Sequence, residues 1–406
     1  MKVWLLRASE MMPVVDKNDR LLRMGMLGEE LSEQGHDVTW LASTFNHYKK
    51  IQVSDKDIVI PVKDNYRLNL IYAKGYRKNI SIARILNHKM IAVRLKKKIK
   101  RMEKPDIIFT SFPTIEFADV AVKYGKKNHI PVVIDVRDLW PDTFYHNLKG
   151  IVKILSVPYV TYLNFKTKRI MKNCYCITSI TDQMLDWGLK KGKREKTKND
   201  KSFFIGYEKE QNIPLDGKVK LDKKKFNIAF FATINNQFNY ELIVKIANKL
   251  KNTKAHFLIC GLGPQLDYFK KVAGASKNIE FLGWQDKNNI DYVLRNSQIG
   301  LAPYKDTFDF RMSVSNKYAE YLSYGLPIVI TSSGYMKQIT EKYDVGISSS
   351  DEKVISDYII KLMNDSNEYN KISNNSRELF NNKFDANKIY KDLAKYLEKI
   401  AKEYRK

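Results

Sequence analysis

The chain has 406 residues, 44% of them hydrophobic and 29% charged, a globular balance that excludes disordered and fibrous classes and allows two or three domains. Lys and Arg number 71 against 45 Asp and Glu, a net charge of +26. That excess fits nucleic acid, an anionic membrane or phosphate-rich substrates without choosing among them.

The first apolar run, Val3-Trp4-Leu5-Leu6, stops at Arg7. It is too short for a signal-peptide core and reads as a first strand. No stretch approaches the roughly 18 uninterrupted apolar residues of a membrane span, so a cytoplasmic location is expected. Further strands are predicted at 38–42, 69–72, 107–111, 132–136 and 175–178, with helices near 20–34, 82–103, 114–128 and 150–172. Near-continuous apolar strands alternating with helices imply a parallel, doubly wound α/β sheet. The highly charged segment 190–201 reads as an exposed loop, followed by a strand at 202–205 and a polar linker over 206–225.

The alternation then restarts. Strands are predicted at 227–232, 256–260, 279–282, 299–302 and 328–331, and helices near 239–251, 265–273, 287–296, 315–324 and 352–364. The chain closes with an amphipathic helix over 386–406, apolar at Ile389, Leu393, Leu397 and Ile400. The expected domains are therefore 1–205 and 226–385, with the crevice between them as the default active site.

Cys174, Cys176 and Cys260 are too few for a disulfide framework and lack zinc-site spacing, so they read as packing residues. The six histidines form no metal-binding pattern, and no metal or cofactor is expected.

The most informative stretch is 304–331. Ser315 is a good N-cap, while Gly325 and Pro327 end what Ser315 begins. The first amides of that helix lack intrahelical partners and carry the positive end of the dipole, a ready anion site. Lys317 adds a full charge. Glu320, one turn deeper, is placed to accept hydrogen bonds from a vicinal diol such as a ribose. The plainer alternative is an ordinary surface helix with an i,i+3 Lys317–Glu320 pair, worth about 0.2–0.5 kcal/mol.

The run Ser315-Asn316-Lys317, Glu320-Tyr321-Leu322-Ser323, Gly325 and Pro327-Ile328-Val329 resembles the donor-site motif of glycosyltransferase family 4, in its bacterial capsule and O-antigen branch. Gly261-Leu262-Gly263-Pro264, Phe281-Leu282-Gly283-Trp284, Asp138-Leu139-Trp140-Pro141-Asp142 and Gly35-His36-Asp37 resemble other segments of the same family. The resemblance implies the GT-B fold: two Rossmann-like domains facing a cleft, a nucleotide sugar held by the second, an acceptor held by the first, and the C-terminal helix returning to the first. It also implies retaining, metal-independent transfer. On this resemblance Ser315, Asn316 and Lys317 hold the diphosphate, Glu320 the ribose, and Trp284 lies near the base.

Some family features are absent. The position eight residues before Glu320 is Met312 where many members carry a glutamate, and residues 231–238 lack the usual basic pair. Lys305 and Arg311, after the 299–302 strand, are the nearest replacements, or else solvated loop cations. Arg20 and Arg23, on a helix that Asp19 would cap, face an acceptor phosphate or solvent. Asp138 is the candidate to orient the acceptor hydroxyl or donor sugar. Arg137 reaches phosphate, or pairs with Asp138 merely to hold the loop. Because the leaving phosphate can itself take the acceptor's proton, alignment and charge stabilisation are the protein's main tasks.

Residues 77–104 contain eleven Lys and Arg and one acid, Glu103, around a helical apolar repeat. Such a helix can lie on anionic lipid. The expected function is transfer from a nucleotide sugar, UDP-linked and of N-acetylhexosamine type, to a lipid-diphosphate-linked glycan at the inner membrane face. The alternatives are a non-catalytic nucleotide or sugar binder of the same fold and, least favoured, a basic nucleic-acid-binding protein.

Overall fold

Apolar runs without polar alternation become parallel strands because helices cover both faces of the sheet. The structure, a computed structural model, describes residues 1–16, 20–79, 81–208 and 219–405. It divides into Met1–Phe204 with Asn387–Lys406, and Ile205–Ala386.

In chain order the first unit carries β1 (Lys2–Leu6), α1 (Arg23–Glu33), β2 (Asp37–Ser43), β3 (Phe45–Asn46), β4 (Ile51–Gln52), β5 (Ile58–Lys63), β6 (Tyr66–Ile71), α2 (Ile82–Lys98), β7 (Ile107–Phe112), α3 (Ile115–Asn128), β8 (Val132–Val136), α4 (Asp142–Asn147), α5 (Gly150–Leu155), α6 (Val157–Asn173), β9 (Cys176–Ser179), α7 (Asp182–Gly192) and β10 (Lys201–Ser202). Its sheet runs β10-β9-β8-β7-β1-β2-β6-β5, parallel except for the β5 edge.

The second unit carries β11 (Phe226–Phe231), α8 (Tyr240–Lys249), β12 (Ala255–Cys260), α9 (Leu266–Ala273), β13 (Ile279–Gly283), α10 (Lys287–Arg295), β14 (Ile299–Ala302), α11 (Phe308–Met312), α12 (Asn316–Ser323), β15 (Ile328–Ile330), α13 (Tyr335–Lys342), β16 (Gly346–Ser348), α14 (Glu352–Asn364) and α15 (Ser366–Lys383). Its all-parallel sheet runs β13-β12-β11-β14-β15-β16, so the order reverses beside β11, as it does beside β1 in the first unit.

The last helix, α16 (Ala386–Arg405), packs on the first unit, as the family resemblance implies. Its buried Leu393, Leu397 and Ile400 supply the apolar seam. The Tyr396 hydroxyl lies 3.1 Å from Cys176 Sγ, and Tyr404 meets Tyr175 edge-on. All three cysteines are buried, and burial pushes each thiol up to about 12, so they are packing residues that stay protonated.

Several boundaries differ from the sequence reading. The helix expected over 82–103 ends at Lys98, and the one over 150–172 breaks at Ser156. Pro158 lies in the first turn of α6, where its missing N–H costs nothing. The charged 190–201 segment is not a simple solvated loop. It begins inside α7 and ends on buried Asp200, which accepts from the Ile177 and Thr197 amides at 2.8 Å and pairs with Arg194 at 3.1 Å. The strand after it is only two residues long. Helix α15 escaped notice because it buries only Ile372, Leu379 and Phe380 of its large apolar residues, although Asp365 caps it clearly.

Candidate functional site

Helix α12 forms as its ends dictate. The Ser315 side chain accepts from the Tyr318 amide at 3.3 Å, and Gly325, at φ +68°, supplies the left-handed residue that stops the helix. The buried Tyr321 hydroxyl roots α12 in the sheet by donating to the carbonyls of Leu301 at 2.9 Å and Ala229 at 3.2 Å. Three loops meet beside β11, β12 and β13. The Ala232 amide bonds to the Cys260 carbonyl, that of Ile234 to Leu262, and that of Gly261 to Gly283. A Cβ on Gly261 or Gly263 would stand 1.8 Å from the Ala232 oxygen or 2.3 Å from the Ile234 oxygen. The Gly-x-Gly pair is therefore a packing requirement of these loops.

Lys317 occupies an enclosure of aromatic rings. Its ammonium lies 5.2 Å from the ring centre of Phe238, 5.4 Å from Phe231 and 6.0 Å from Tyr304. Tyr304 in turn stacks on Phe310 at 4.2 Å. Burial brings the Lys317 pKa down to about 8, against the opposing pull of the Glu320 carboxylate. The neutral loop 231–238 thus contributes rings where a basic pair was missing. Asn316 is exposed at the helix start, and Glu320 sits one turn further along.

The remaining donor-side candidates are more peripheral. Trp284 is 69% exposed just after β13, so its ring projects from the loop. Lys305 is exposed, and its amide bonds to the Gln237 carbonyl at 2.8 Å. Arg311 is also exposed and pairs at 2.9 Å with Asp306, which holds the Ser333 amide at 3.0 Å.

In the first unit the cations turn inward. Arg23 is fully buried. Its Nε and Nη2 bond to the two oxygens of Asp135 at 2.8 and 2.9 Å, and its Nη1 bonds to the carbonyls of Phe203 and Phe204 at 3.0 and 2.9 Å. Arg23 therefore faces neither acceptor phosphate nor solvent, and becomes a pin for α1, β8 and the chain after β10. Arg20 lies half-buried ahead of α1, which starts at Arg23 behind Leu22 and without a side-chain cap. Asp19, the expected cap, lies outside the described residues.

Arg137 pairs with the fully buried Glu10. Burial opposes the Arg137 charge, but the carboxylates of Glu10 and Asp135 outweigh it and raise the pKa. Asp138 Oδ1 accepts from the Leu139 amide at 2.6 Å and the Thr143 hydroxyl at 2.9 Å, which shapes the turn into α4. Sequence reasoning missed Glu10, 127 residues from its partner. Asp135 did leave a signal, as the one acid in the apolar strand Val-Val-Ile-Asp-Val, where a buried charge requires a partner.

Two doubly wound units in tandem, the second with a capped lysine-bearing helix beside its switch point, define a GT-B protein. Comparison with known families agrees: the model described as Glycosyltransferase Family 4 matches residues 23–198, and that described as Glycosyl transferases group 1 matches residues 211–379. The chain belongs to the GT-B glycosyltransferases. No curated protein matches it significantly. Among solved structures it is similar to sucrose-phosphate synthase from Thermosynechococcus elongatus, with a TM-score of 0.71, 12% identity and 98% of each chain covered. It is also similar to Anabaena Alr3699/HepE in complex with UDP, at 0.66 and 10%, over 98% of this chain and 100% of that one. WaaG, a glycosyltransferase involved in lipopolysaccharide biosynthesis, gives 0.64 and 12%, over 98% and 99%. At these identities the likeness shows the fold.

Proposed function

We propose that the protein is a retaining, metal-independent glycosyltransferase. It moves a sugar from a nucleotide sugar, UDP-linked and of N-acetylhexosamine type, to a lipid-diphosphate-linked glycan of a bacterial surface polysaccharide. The observation that carries the donor reading is the Lys317 ammonium, enclosed by Phe231, Phe238 and Tyr304 at the start of a capped helix. A diphosphate there meets a cation and free amides at once. Glu320 takes the ribose, and the exposed face of Trp284 takes the base. The complex of Alr3699/HepE with UDP supports the choice of nucleotide. Lys305 and Arg311 serve as outer cations, and Arg311 reaches phosphate by leaving Asp306, an exposed pair worth about 0–1 kcal/mol. Asp138 orients the acceptor hydroxyl, and Arg137 acts as a positioning residue through Glu10. The leaving phosphate accepts the hydroxyl proton as the new glycosidic bond forms and the sugar–phosphate bond breaks.

A thermal-shift panel of UDP-, GDP-, ADP- and dTDP-sugars tests this reading, with Glu320→Ala as control. One nucleotide class should raise Tm in the native protein and not in the variant. Indifference to every nucleotide would remove the donor site. The neutral loop 231–238 keeps a non-catalytic binder as the second reading, and turnover with a lipid-diphosphate sugar separates the two.

Peripheral attachment to the inner membrane face is part of the proposal. Among the described residues no helix is long and apolar enough to cross a membrane. Helix α2 carries two apolar stripes: Ile91 and Leu95, with Ile99 just past its end, pack inward, while Ile82, Leu86, Met90 and Val93 are exposed. Helices α5 and α6 expose Ile151, Val152, Ile154, Leu155 and Phe165 beside Lys149, Lys153 and Lys166. Both α2 and α6 pack on α3. Apolar residues among lysines match the acyl and headgroup layers of an anionic bilayer. Flotation with phosphatidylglycerol vesicles at moderate salt should carry the protein up the gradient, and Ile154→Glu with Leu155→Glu should leave it at the bottom. Failure of the native protein to float would end the membrane reading.

A further inference from the structure

The first unit holds two half-buried cations that find only neutral partners among the described residues. Lys50, in the turn between β3 and β4, places its ammonium 4.7 Å from the ring centre of Tyr76 and 2.5 Å from Asn79 Oδ1. Arg84, in α2, places its guanidinium 5.9 Å from the same ring and 5.0 Å from Trp140, and its Nη1 donates to the Asn79 carbonyl at 2.8 Å. The Arg84 Nε is buried and has no hydrogen-bond partner. His47 completes the group, with Nδ1 2.6 Å from the Tyr76 hydroxyl and 3.3 Å from Lys50.

Among the described residues, the lack of a carboxylate here stands out against the neighbouring side chains. Lys49 finds Asp16 at 2.7 Å, and Arg94 finds Asp57 at 2.9 Å. The carboxylate near the cluster, Glu116, faces His88 at 3.8 Å. Burial and Arg84 lower the Lys50 pKa, and burial followed by Lys50 and Arg84 brings His47 down to about 4. His47 is therefore neutral near pH 7 and accepts from the groups around it. Two cations held on one ring, each making the other less favourable, have a gap in their charge that an anion would close. Of the five guanidinium protons of Arg84 one meets the Asn79 carbonyl, and two of the three Lys50 ammonium protons meet Asn79 and His47, so both groups keep donors without a partner among the described residues. Helix α2, which carries Arg84, also exposes the apolar Ile82 and Leu86 on another side.

We infer that Lys50 and Arg84, framed by Tyr76, Asn79 and Trp140, form an anion site in the first unit that takes the phosphate or diphosphate of an amphiphilic acceptor. The assignment to the acceptor rests on the transferase reading above, while the anion site rests on the cluster alone. The shared chemistry is a phosphate oxyanion, from a lipid-linked diphosphate or from free phosphate.

Isothermal titration with inorganic pyrophosphate tests the site in a Lys317→Met, Lys305→Met, Arg311→Met background, which silences the donor-side cations. That variant should keep one binding event, and adding Arg84→Gln or Lys50→Gln should weaken it at least tenfold. Tm of the added variants should hold or rise, because each removes like-charge repulsion. No binding event, or one indifferent to both substitutions, overturns the site. In the second arm farnesyl diphosphate replaces pyrophosphate. Binding at least tenfold tighter than pyrophosphate supports the lipid-linked source, and equal affinity overturns the acceptor assignment. Nucleotide binding to native protein is read separately, so failure of the donor reading and failure of this one give different results.

Discussion

Replacing Lys317 with methionine is expected to weaken nucleotide-sugar binding while making the unliganded protein more stable. The binding loss follows from removing a charge-assisted hydrogen bond to phosphate, about 1.5–3 kcal/mol or 10- to 150-fold in Kd. The gain in stability has the opposite origin. The folded pKa of about 8 lies below the ordinary lysine value of 10.5, so folding disfavours the charged lysine. At about 1.4 kcal/mol per pKa unit this costs roughly 3 kcal/mol at neutral pH, of which the three rings return about 1 through cation–π attraction. Methionine keeps the length and loses the charge, leaving a net gain of about 1–2 kcal/mol. The sign in pH is fixed by the same shift. The penalty is complete below about pH 8, fades as pH rises toward the unfolded value, and is gone above it, so the stability advantage of Lys317→Met disappears at high pH. Binding moves the other way. Between pH 7 and 9 the free protein loses most of its Lys317 charge, and affinity for a UDP-sugar should fall about tenfold. Calorimetric titration across that range is the check; a flat profile in native protein would remove Lys317 from the phosphate.

Arg23→Met is expected to damage the fold of the first unit, in contrast to a loss of acceptor binding. Both partners of the Arg23–Asp135 pair have fully buried side chains. Removing one leaves the Asp135 carboxylate with the Thr178 hydroxyl at 2.8 Å as its remaining side-chain donor among the described residues, a loss of about 3–5 kcal/mol. For a unit of this size that is a fall of about 10 °C in Tm. The double variant Arg23→Met with Asp135→Leu removes the stranded charge and should recover more than half of the loss, because a buried pair costs nearly as much to desolvate as it returns. Scanning calorimetry reads both. An unchanged Tm in Arg23→Met, with a raised KM for acceptor, would return this arginine to the substrate.

These two lysine and arginine cases show where the sequence was readable. Ser315, Gly325 and Pro327 delimit α12 through interactions within one turn, so the helix and the position of Lys317 at its start are legible from local chemistry. The aromatic enclosure was not: Phe231 and Phe238 come from one loop and Tyr304 from another, and they reach Lys317 only through the fold. Trp284 shows the same limit, since an aromatic after a strand packs or projects according to which loop lies over it, and here it projects.

By itself the sequence determined the two α/β repeats, the parallel character of their strands, the amphipathic last helix and the capped helix α12. Each of these depends on periodicity or on contacts within a few residues. Only the tertiary structure decided what the cations do. Arg23 and Arg137 meet Asp135 and Glu10 across 112 and 127 residues, Arg311 meets Asp306 close by, and Lys50 and Arg84 meet no carboxylate among the described residues. A charge in a sequence carries a sign but no partner. The partner is set by which strand ends the sheet brings together, and that is where the +26 divides into buried pins, solvated pairs and cations with neutral partners.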